Sequence, residues 1–326
     1  MATVTSPVEA AAPAPAGRAF AVARPIQVAA RVGAAIAVVF LVGYLGISYR
    51  FADAATLIKR HPLERTAAYV APTHEDVTFS AADGTVLKGW WFTAPSPRAR
   101  AVVLVHGRDQ DRIDSSFPTG RIARTLLAQG YSALLFDLYG HGESGGGPRW
   151  GLGRFEALDV AAAVDLAAQK AGIPRSRVAV IAESLGAGSS VLALRYAPDM
   201  GPMVLDSVYT DAHTVFVEYA PQETGLPSWF VPGMELVGRL VFGIDFGDVR
   251  PIDEVRAHPE RAFLFIQCAA DRTVFPHHGP DMKAASANAA SELWVAPDCG
   301  HVKAYSRYPS EWESRVTAFL ERQLGR

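Results

Sequence analysis

A serine, a histidine and an aspartate of this chain have the types and settings that acyl transfer needs. Ser184 lies in "VAVIAESLGAG", residues 178–188, where an apolar run meets one serine and then turns small and glycine-rich. The run reads as a buried strand and the small segment as a helix start. A tight strand-to-helix turn exposes a serine hydroxyl above a sheet, and small residues two before and two after let strand and helix approach. Here these are Ala182 and Gly186; glycine is usual at both, and the turn is expected to survive the extra methyl group of Ala182. The N–H of Leu185 then sits at a helix N-terminus, where it stabilises negative charge. A serine hydroxyl is a weak nucleophile and needs a base. His301, in "PDCGHVKAY", is the preferred base, and Asp271, in "CAADRTVFP", the preferred carboxylate to orient it. Asp206, in "GPMVLDS", is the rival acid. His141 lies in a glycine-rich segment, and His277 and His278 read as part of a loop after Asp271.

Such residues need a scaffold, and the rest of the domain supplies one. From about Asp76 onward, strand-like and helix-like segments alternate. "DVTFSAADGTVLKGWWFTAP" reads as a hairpin turning at 82–84. "AVVLVHG" (101–107) is a continuous apolar run, as expected of a strand buried on both faces. Similar runs precede Asp137, Ser184, Asp206, Asp271 and His301, with helical patterns between them. Alternation of this kind gives a mostly parallel sheet covered by helices, with ligands at the carboxyl ends of its strands. The second N–H facing the serine is expected from Arg108, in the loop after "VVLVHG". His106 and Gly107 read as shaping that loop, and Asp137 and His141 as hydrogen-bonding braces. The glycines at 140–147 lack the Gly-Lys-Ser/Thr ending of a phosphate loop. Between about Ala212 and Asp248 the alternation breaks into an aromatic, Pro- and Gly-containing stretch. It reads either as a small cap or as a helical crossover with a long loop.

The N-terminal segment is different. Residues 1–26 are rich in Ala and Pro without apolar periodicity and read as a disordered tail. Val32–Tyr49 carries no charge; as a helix it spans roughly 27 Å, close to the ~30 Å hydrocarbon core of a bilayer. Arg31 and Arg50 bracket it, and Tyr44 and Tyr49 suit the interface. A transmembrane helix over 27–50, followed by a juxtamembrane linker over 51–70, is the preferred reading. A cleaved signal peptide, with Ala52-Asp53-Ala54 as its cleavage site, is the rival. Arginines and lysines on the two sides do not orient the span. The expectation is a short tail inside and an extracytoplasmic domain from 71 to 326.

Composition narrows the classes further. The chain has 326 residues, 49% of them hydrophobic, enough for one large core, and a formal net charge of −2. That balance gives no basic footprint for a nucleic acid. Two cysteines, Cys268 and Cys299, exclude a zinc finger or a disulfide scaffold. They lie three residues before Asp271 and two before His301. If the last two strands are neighbours, they either form a disulfide bracing the acid and base loops or stay as two buried thiols.

Taken together, "DGTVLKGWWF", "VVLVHG", "FDLYGHGESGG", "AESLGAG", "AADRTVFP" and "CGHVKAY" resemble the α/β-hydrolases. The closest likeness is to the serine-aminopeptidase and monoacylglycerol-lipase-like branch, including its N-terminally membrane-anchored members. The order Ser, Asp, His along the chain is the one that fold uses. The resemblance implies an α/β-hydrolase fold with a mostly parallel central sheet, flanking helices and a small cap. It implies a Ser184–Asp271–His301 triad, an oxyanion hole at the N–H groups of Arg108 and Leu185, and no metal or cofactor. The implied activity is hydrolysis of carboxylic esters or lipid-like acyl substrates through an acyl-enzyme. A peptidase or thioesterase on the same triad, or a catalytically silent membrane-bound binding module, are the alternatives.

Overall fold

The computed structural model describes residues 20–325. The chain divides between Ile47 and Ser48 into two units. The first contains most of helix α1 (Phe20–Thr56), whose apolar side chains, Ile36, Val39 and Phe40 among them, are exposed. The segment Pro25–Thr56 is long and apolar enough to cross a membrane, with a mean hydropathy of 2.1 in its most apolar window. Residues 20–26, expected within the tail, are helical and include Pro25. Alanine is the strongest helix former, and a proline this near the start removes a single intrahelical bond. The rest of the expected tail, residues 1–19, lies outside the described residues.

The second unit begins inside the same helix. Ser48, Ala52 and Thr56 recur once per turn and are fully buried, with Phe51 and Ala55 beside them. Arg149 pairs with Asp53 and donates to Thr56 Oγ1 at 2.8 Å. Trp150 Nε1 donates to the Ala55 carbonyl at 2.9 Å, and Ile58 N to Pro148 O at 2.9 Å. Phe51, Ala52, Ala55 and Ile58 are thus part of the domain core, within the stretch expected as a linker over 51–70. Their partners come from residues 148–150, so no local pattern could reveal the burial.

The sheet is built from β1 (Glu75–Ser80), β2 (Val86–Phe92), β3 (Ala101–Val105), β4 (Ser132–Phe136), β5 (Val178–Glu183), β6 (Met203–Asp206), β7 (Phe263–Cys268) and β8 (Glu292–Ala296). Their order is β1-β2-β4-β3-β5-β6-β7-β8. The β1–β2 hairpin is antiparallel and joins β4 antiparallel; β4, β3, β5, β6, β7 and β8 are mutually parallel. Successive side chains of a strand face opposite sides of the sheet, and β5 shows the result. Val178, Val180 and Ala182 enter one core, while Ala179 and Ile181 enter the other.

Helices cover both faces. After α1 come α2 (Thr119–Ala128), α3 (Glu156–Ala171), α4 (Ser184–Leu192), α5 (Ala212–Thr224), α6 (Val231–Val237), α7 (Pro251–Ala257), α8 (His278–Ala285), α9 (Ala304–Arg307) and α10 (Pro309–Leu324). Residues of α3, α4 and α7 pack on one face and those of α2 and α10 on the other. Helix α10 buries Trp312, Val316, Phe319 and Leu320, the stripe of an amphipathic helix. The stretch 212–248 is helical: α5, capped by Asp211 accepting from Thr214 N, then α6 and a π-helical turn, Gly238–Phe242. Phe216, Met234 and Phe246 seat it in the same core as α3 and α4. His277 ends the loop, as read from sequence, and caps α8, whereas His278 is its first helical residue. The acid loop is short enough for a helix to start two residues after Pro276.

Burial along α1 makes a sharp contrast between two phenylalanines. Phe51→Ala is expected to destabilise the domain by about 3 kcal/mol, as for other buried Phe truncations. Phe40→Ala, at a 74% exposed side chain, is expected to stay within about 0.5 kcal/mol. Urea unfolding followed by tryptophan fluorescence measures both.

Candidate active site

The carboxyl ends of β3, β5, β7 and β8 converge on one point. Ser184, between β5 and α4, has φ +47°, a left-handed conformation that L-residues rarely adopt. Two neighbours hold it there. Ala182 is fully buried, paired with Val105 on one side and Leu205 on the other. Gly186 lies against β3, where a Cβ would stand 2.4 Å from the His106 carbonyl oxygen. The position two after the serine therefore requires glycine, whereas the position two before it accommodates a methyl group.

The sequence-derived residues meet around this turn. Ser184 Oγ lies 2.8 Å from His301 Nε2, and His301 Nδ1 lies 2.8 Å from Asp271 Oδ2. With Nδ1–H donating to the aspartate, Nε2 is left to accept the serine proton. Asp271 is buried and itself fixed: Oδ1 accepts from Thr273 N and Val274 N at 2.8 and 3.0 Å, and Gln267 Nε2 approaches Oδ2 at 3.4 Å. Asp206, the rival acid, is not the one bonded to His301; its Oδ1 accepts from Ser207 Oγ at 3.1 Å. Burial pushes its carboxyl up to about 7. Arg108 and Leu185 lie with Ser184 and His301 on the wall of a cavity of about 260 Å³. The rest of that wall is mostly apolar, including Trp150, Leu152, Val215, Phe216 and Val274.

The loop that carries Arg108 is braced from below. His106 Nε2 accepts from Leu138 N at 3.0 Å, so its Nδ1 donates to Gly107 O at 2.7 Å. Burial, reinforced by His141, holds this imidazole down near about 3, so it remains neutral. His141 Nε2 accepts from Asp109 N at 3.1 Å, and Asp137 accepts from Arg112 N and Glu143 N, each at 2.8 Å. These are the bracing roles expected for Asp137, His141 and His106.

Two contributors escaped the sequence reading. Glu183, beside the serine, is fully buried under the loop and accepts from Gly107 N at 3.2 Å. Burial, then the charge of Asp206, pushes its carboxyl well above the ordinary range. Gln267 donates to Val274 O at 3.0 Å and so fixes the acid loop. A glutamine inside the otherwise apolar "FLFIQC" was the available signal.

The cysteines settle in one of the two ways left open by their spacing. Cys268, at the end of β7, and Cys299, before His301, form a disulfide with Cα atoms 5.1 Å apart. Ala269 N and Ala270 N donate to Ala296 O and Cys299 O at 2.9 and 3.0 Å. The loops bearing Asp271 and His301 are thereby joined by one covalent bond and two hydrogen bonds.

Known proteins agree with this architecture. The family model of the serine aminopeptidases, S33, matches residues 96–297. The chain belongs to that family. His301 lies just beyond the matched stretch. The uncharacterized protein YfhR of Salmonella typhi is 26% identical over 269 residues, covering 77% of this chain and 82% of YfhR. Among solved structures, the Pyrococcus furiosus esterase Pf2001 is 25% identical with a TM-score of 0.66, covering 82% of this chain and all of that one. The hypothetical protein PA2218 of Pseudomonas aeruginosa shares the fold at 19% identity and a TM-score of 0.62, over 81% of this chain and all of PA2218. The S33 protein is thus an α/β-hydrolase in fold and family, with an esterase among its structural neighbours.

Two measurements probe the surroundings of the site. Folded Asp206 holds its proton up to about pH 7, whereas an unfolded carboxyl releases it near pH ~4. The folded state thus binds more protons across that window, and stability falls as pH rises from about 4 to 7. Asp206→Asn is expected to flatten that fall in urea midpoints measured across the same range. Replacing Cys268 and Cys299 together by serine is expected to cost about 3 kcal/mol in the same assay.

Proposed function

We propose that this S33 protein is a membrane-anchored serine hydrolase that cleaves carboxylic esters or lipid-like acyl substrates through an acyl-enzyme. The observation that carries the reading is the hydrogen-bonded series Ser184–His301–Asp271 at the mouth of an apolar cavity. In the proposed reaction, Ser184 Oγ attacks the acyl carbonyl carbon while His301 Nε2 takes its proton. Asp271 holds the ring in the Nδ1–H tautomer and stabilises the imidazolium. The N–H groups of Arg108 and Leu185 receive the charge that develops on the carbonyl oxygen, the latter aided by the N-terminus of α4. Collapse of the tetrahedral adduct breaks the ester bond, and His301 returns the proton to the departing alcohol. Water, deprotonated by the same histidine, then releases the acid and restores the serine.

The apolar wall favours an acyl chain over a polar group, and the printed description of Pf2001 as an esterase favours an ester bond. The family description as a serine aminopeptidase supports a second reading, cleavage of an amide after an N-terminal residue. Retention of the N-terminal helix as an anchor is supported by the burial of Phe51, Ala52 and Ala55, since cleavage after Ala54 cuts through core residues. The disulfide supports an extracytoplasmic domain, because such bonds persist in oxidising compartments.

Hydrolysis of p-nitrophenyl esters of increasing chain length, beside aminoacyl p-nitroanilides, tests the reading. Turnover of esters, rising with chain length, is expected. Ser184→Ala and Asp271→Asn are expected to lower kcat by about 10⁴-fold, and Asp206→Asn by less than about tenfold, since it leaves the relay intact. Turnover of the anilides alone supports the aminopeptidase. No turnover of either by the folded protein supports a silent binding module.

A further inference from the structure

A second cluster of chemically capable side chains lies outside the relay, between α5 and α8. Glu218 of α5 faces His277 and His278 at the start of α8. Glu218 Oε1 lies 2.7 Å from His277 Nε2, and Oε2 lies 3.2 Å from His278 Nε2. The three donor groups all fall within 4.8 Å of one another. Two imidazole nitrogens and a carboxylate around a tetrahedral zinc ion stand about 3.3 Å apart; the two nitrogen–oxygen separations, 2.7 and 3.2 Å, lie below that value, so His277 and Glu218 open slightly to admit an ion.

The outer nitrogen of His277 is held as in metal sites, and that of His278 has an oxygen within reach. A ligating histidine usually donates its other N–H to a carboxylate or another oxygen, which fixes ring orientation and raises basicity. His277 Nδ1 lies 2.7 Å from Asp281 Oδ2. His278 Nδ1 lies 2.9 Å from Thr210 Oγ1, whose own proton can point to Asp211 Oδ2 at 3.2 Å. The Thr210 backbone N–H also points at His278 Nδ1, at 3.2 Å. Without a cation, that N–H favours a His278 tautomer donating from Nε2 to Glu218. With a cation on Nε2, the proton moves to Nδ1 and is received by Thr210 Oγ1, and the Thr210 N–H gives up its bond to that nitrogen. The site is open on one side: His278 is fully buried, while the His277 side chain is 44% exposed.

We propose that Glu218, His277 and His278 bind one divalent transition-metal ion of the zinc class, with Asp281 and Thr210 positioning the two rings. Two nitrogens and a carboxylate suit a borderline cation such as Zn²⁺ better than Mg²⁺ or Ca²⁺, which prefer oxygen ligands. The ion clips α5 to the segment that follows the Asp271 loop. That pairing matters because Val215 and Phe216 of α5, and Thr273 and Val274 of the loop, both line the catalytic cavity. Metal occupancy therefore fixes the width of the acyl cavity without touching the reacting atoms.

The test uses the full-length protein in detergent, without a histidine tag, stripped by chelator and titrated with ZnCl₂ by calorimetry. One zinc ion per chain is expected, with a higher unfolding temperature. Glu218→Gln and His277→Ala are expected to bind at least tenfold more weakly, and Asp281→Asn roughly tenfold more weakly. Ser184→Ala is expected to bind as the wild type does, so the outcome is independent of the proposed hydrolysis. Co²⁺ reads the wild type without any variant: visible absorption bands of a four- or five-coordinate ion are expected. The proposal is overturned if wild type binds no zinc and gives no such bands. It is equally overturned if folded Glu218→Gln and His277→Ala bind zinc like the wild type; the cluster is then an ion-pair network only.

Discussion

Ser184 is held at φ +47° by the close packing of α4 against the end of β3, and the geometry of the site depends on that constraint. A residue in this region of backbone space is strained and stays there only if its surroundings over-determine it. The surroundings are specific. Gly186 has no room for a side chain beside the His106 carbonyl, and Ala182 is clamped between Val105 and Leu205. The same turn aims the serine hydroxyl at His301 and starts α4 with the N–H of Leu185. Backbone strain, exposure of the serine hydroxyl and helix polarity are three consequences of one packing arrangement.

The partners of the serine are fixed by different means. Asp271 and His301 stand on two loops that a serine-centred turn cannot reach, so they need their own bracing. The Cys268–Cys299 disulfide, Gln267 and the amides of Thr273 and Val274 supply it. Beneath the opposite loop, neutral His106 and buried Glu183 fix Gly107, which places Arg108 on the cavity wall. Bracing of one side includes a covalent bond, and that of the other rests on hydrogen bonds.

Most of this was legible because strands and their ends announce themselves locally. Apolar runs marked β3 to β8, and the residues closing those runs were the ones that could do chemistry. Choosing Asp271 over Asp206 rested on the order and setting of the loops, and hydrogen bonding to His301 separates the two in the structure. What stayed hidden depends on contacts between distant segments. Ala52 is buried by a segment near residue 150, and Glu183 by the loop after β3; neither leaves a periodic trace. The disulfide needed the adjacency of β7 and β8, which spacing alone could not decide. His277 and His278 read as loop residues because their partner, Glu218, lies on an insertion whose fold the local pattern left open.

The central claim is that the strained serine is the nucleophile and that His301 activates it. The most direct measurement is a peptide map of the folded protein after treatment with a fluorophosphonate, with the modified residue located by mass spectrometry. One phosphonate adduct is expected, on Ser184, formed far more slowly in His301→Ala. An adduct on a different serine, or none on a folded protein, contradicts it.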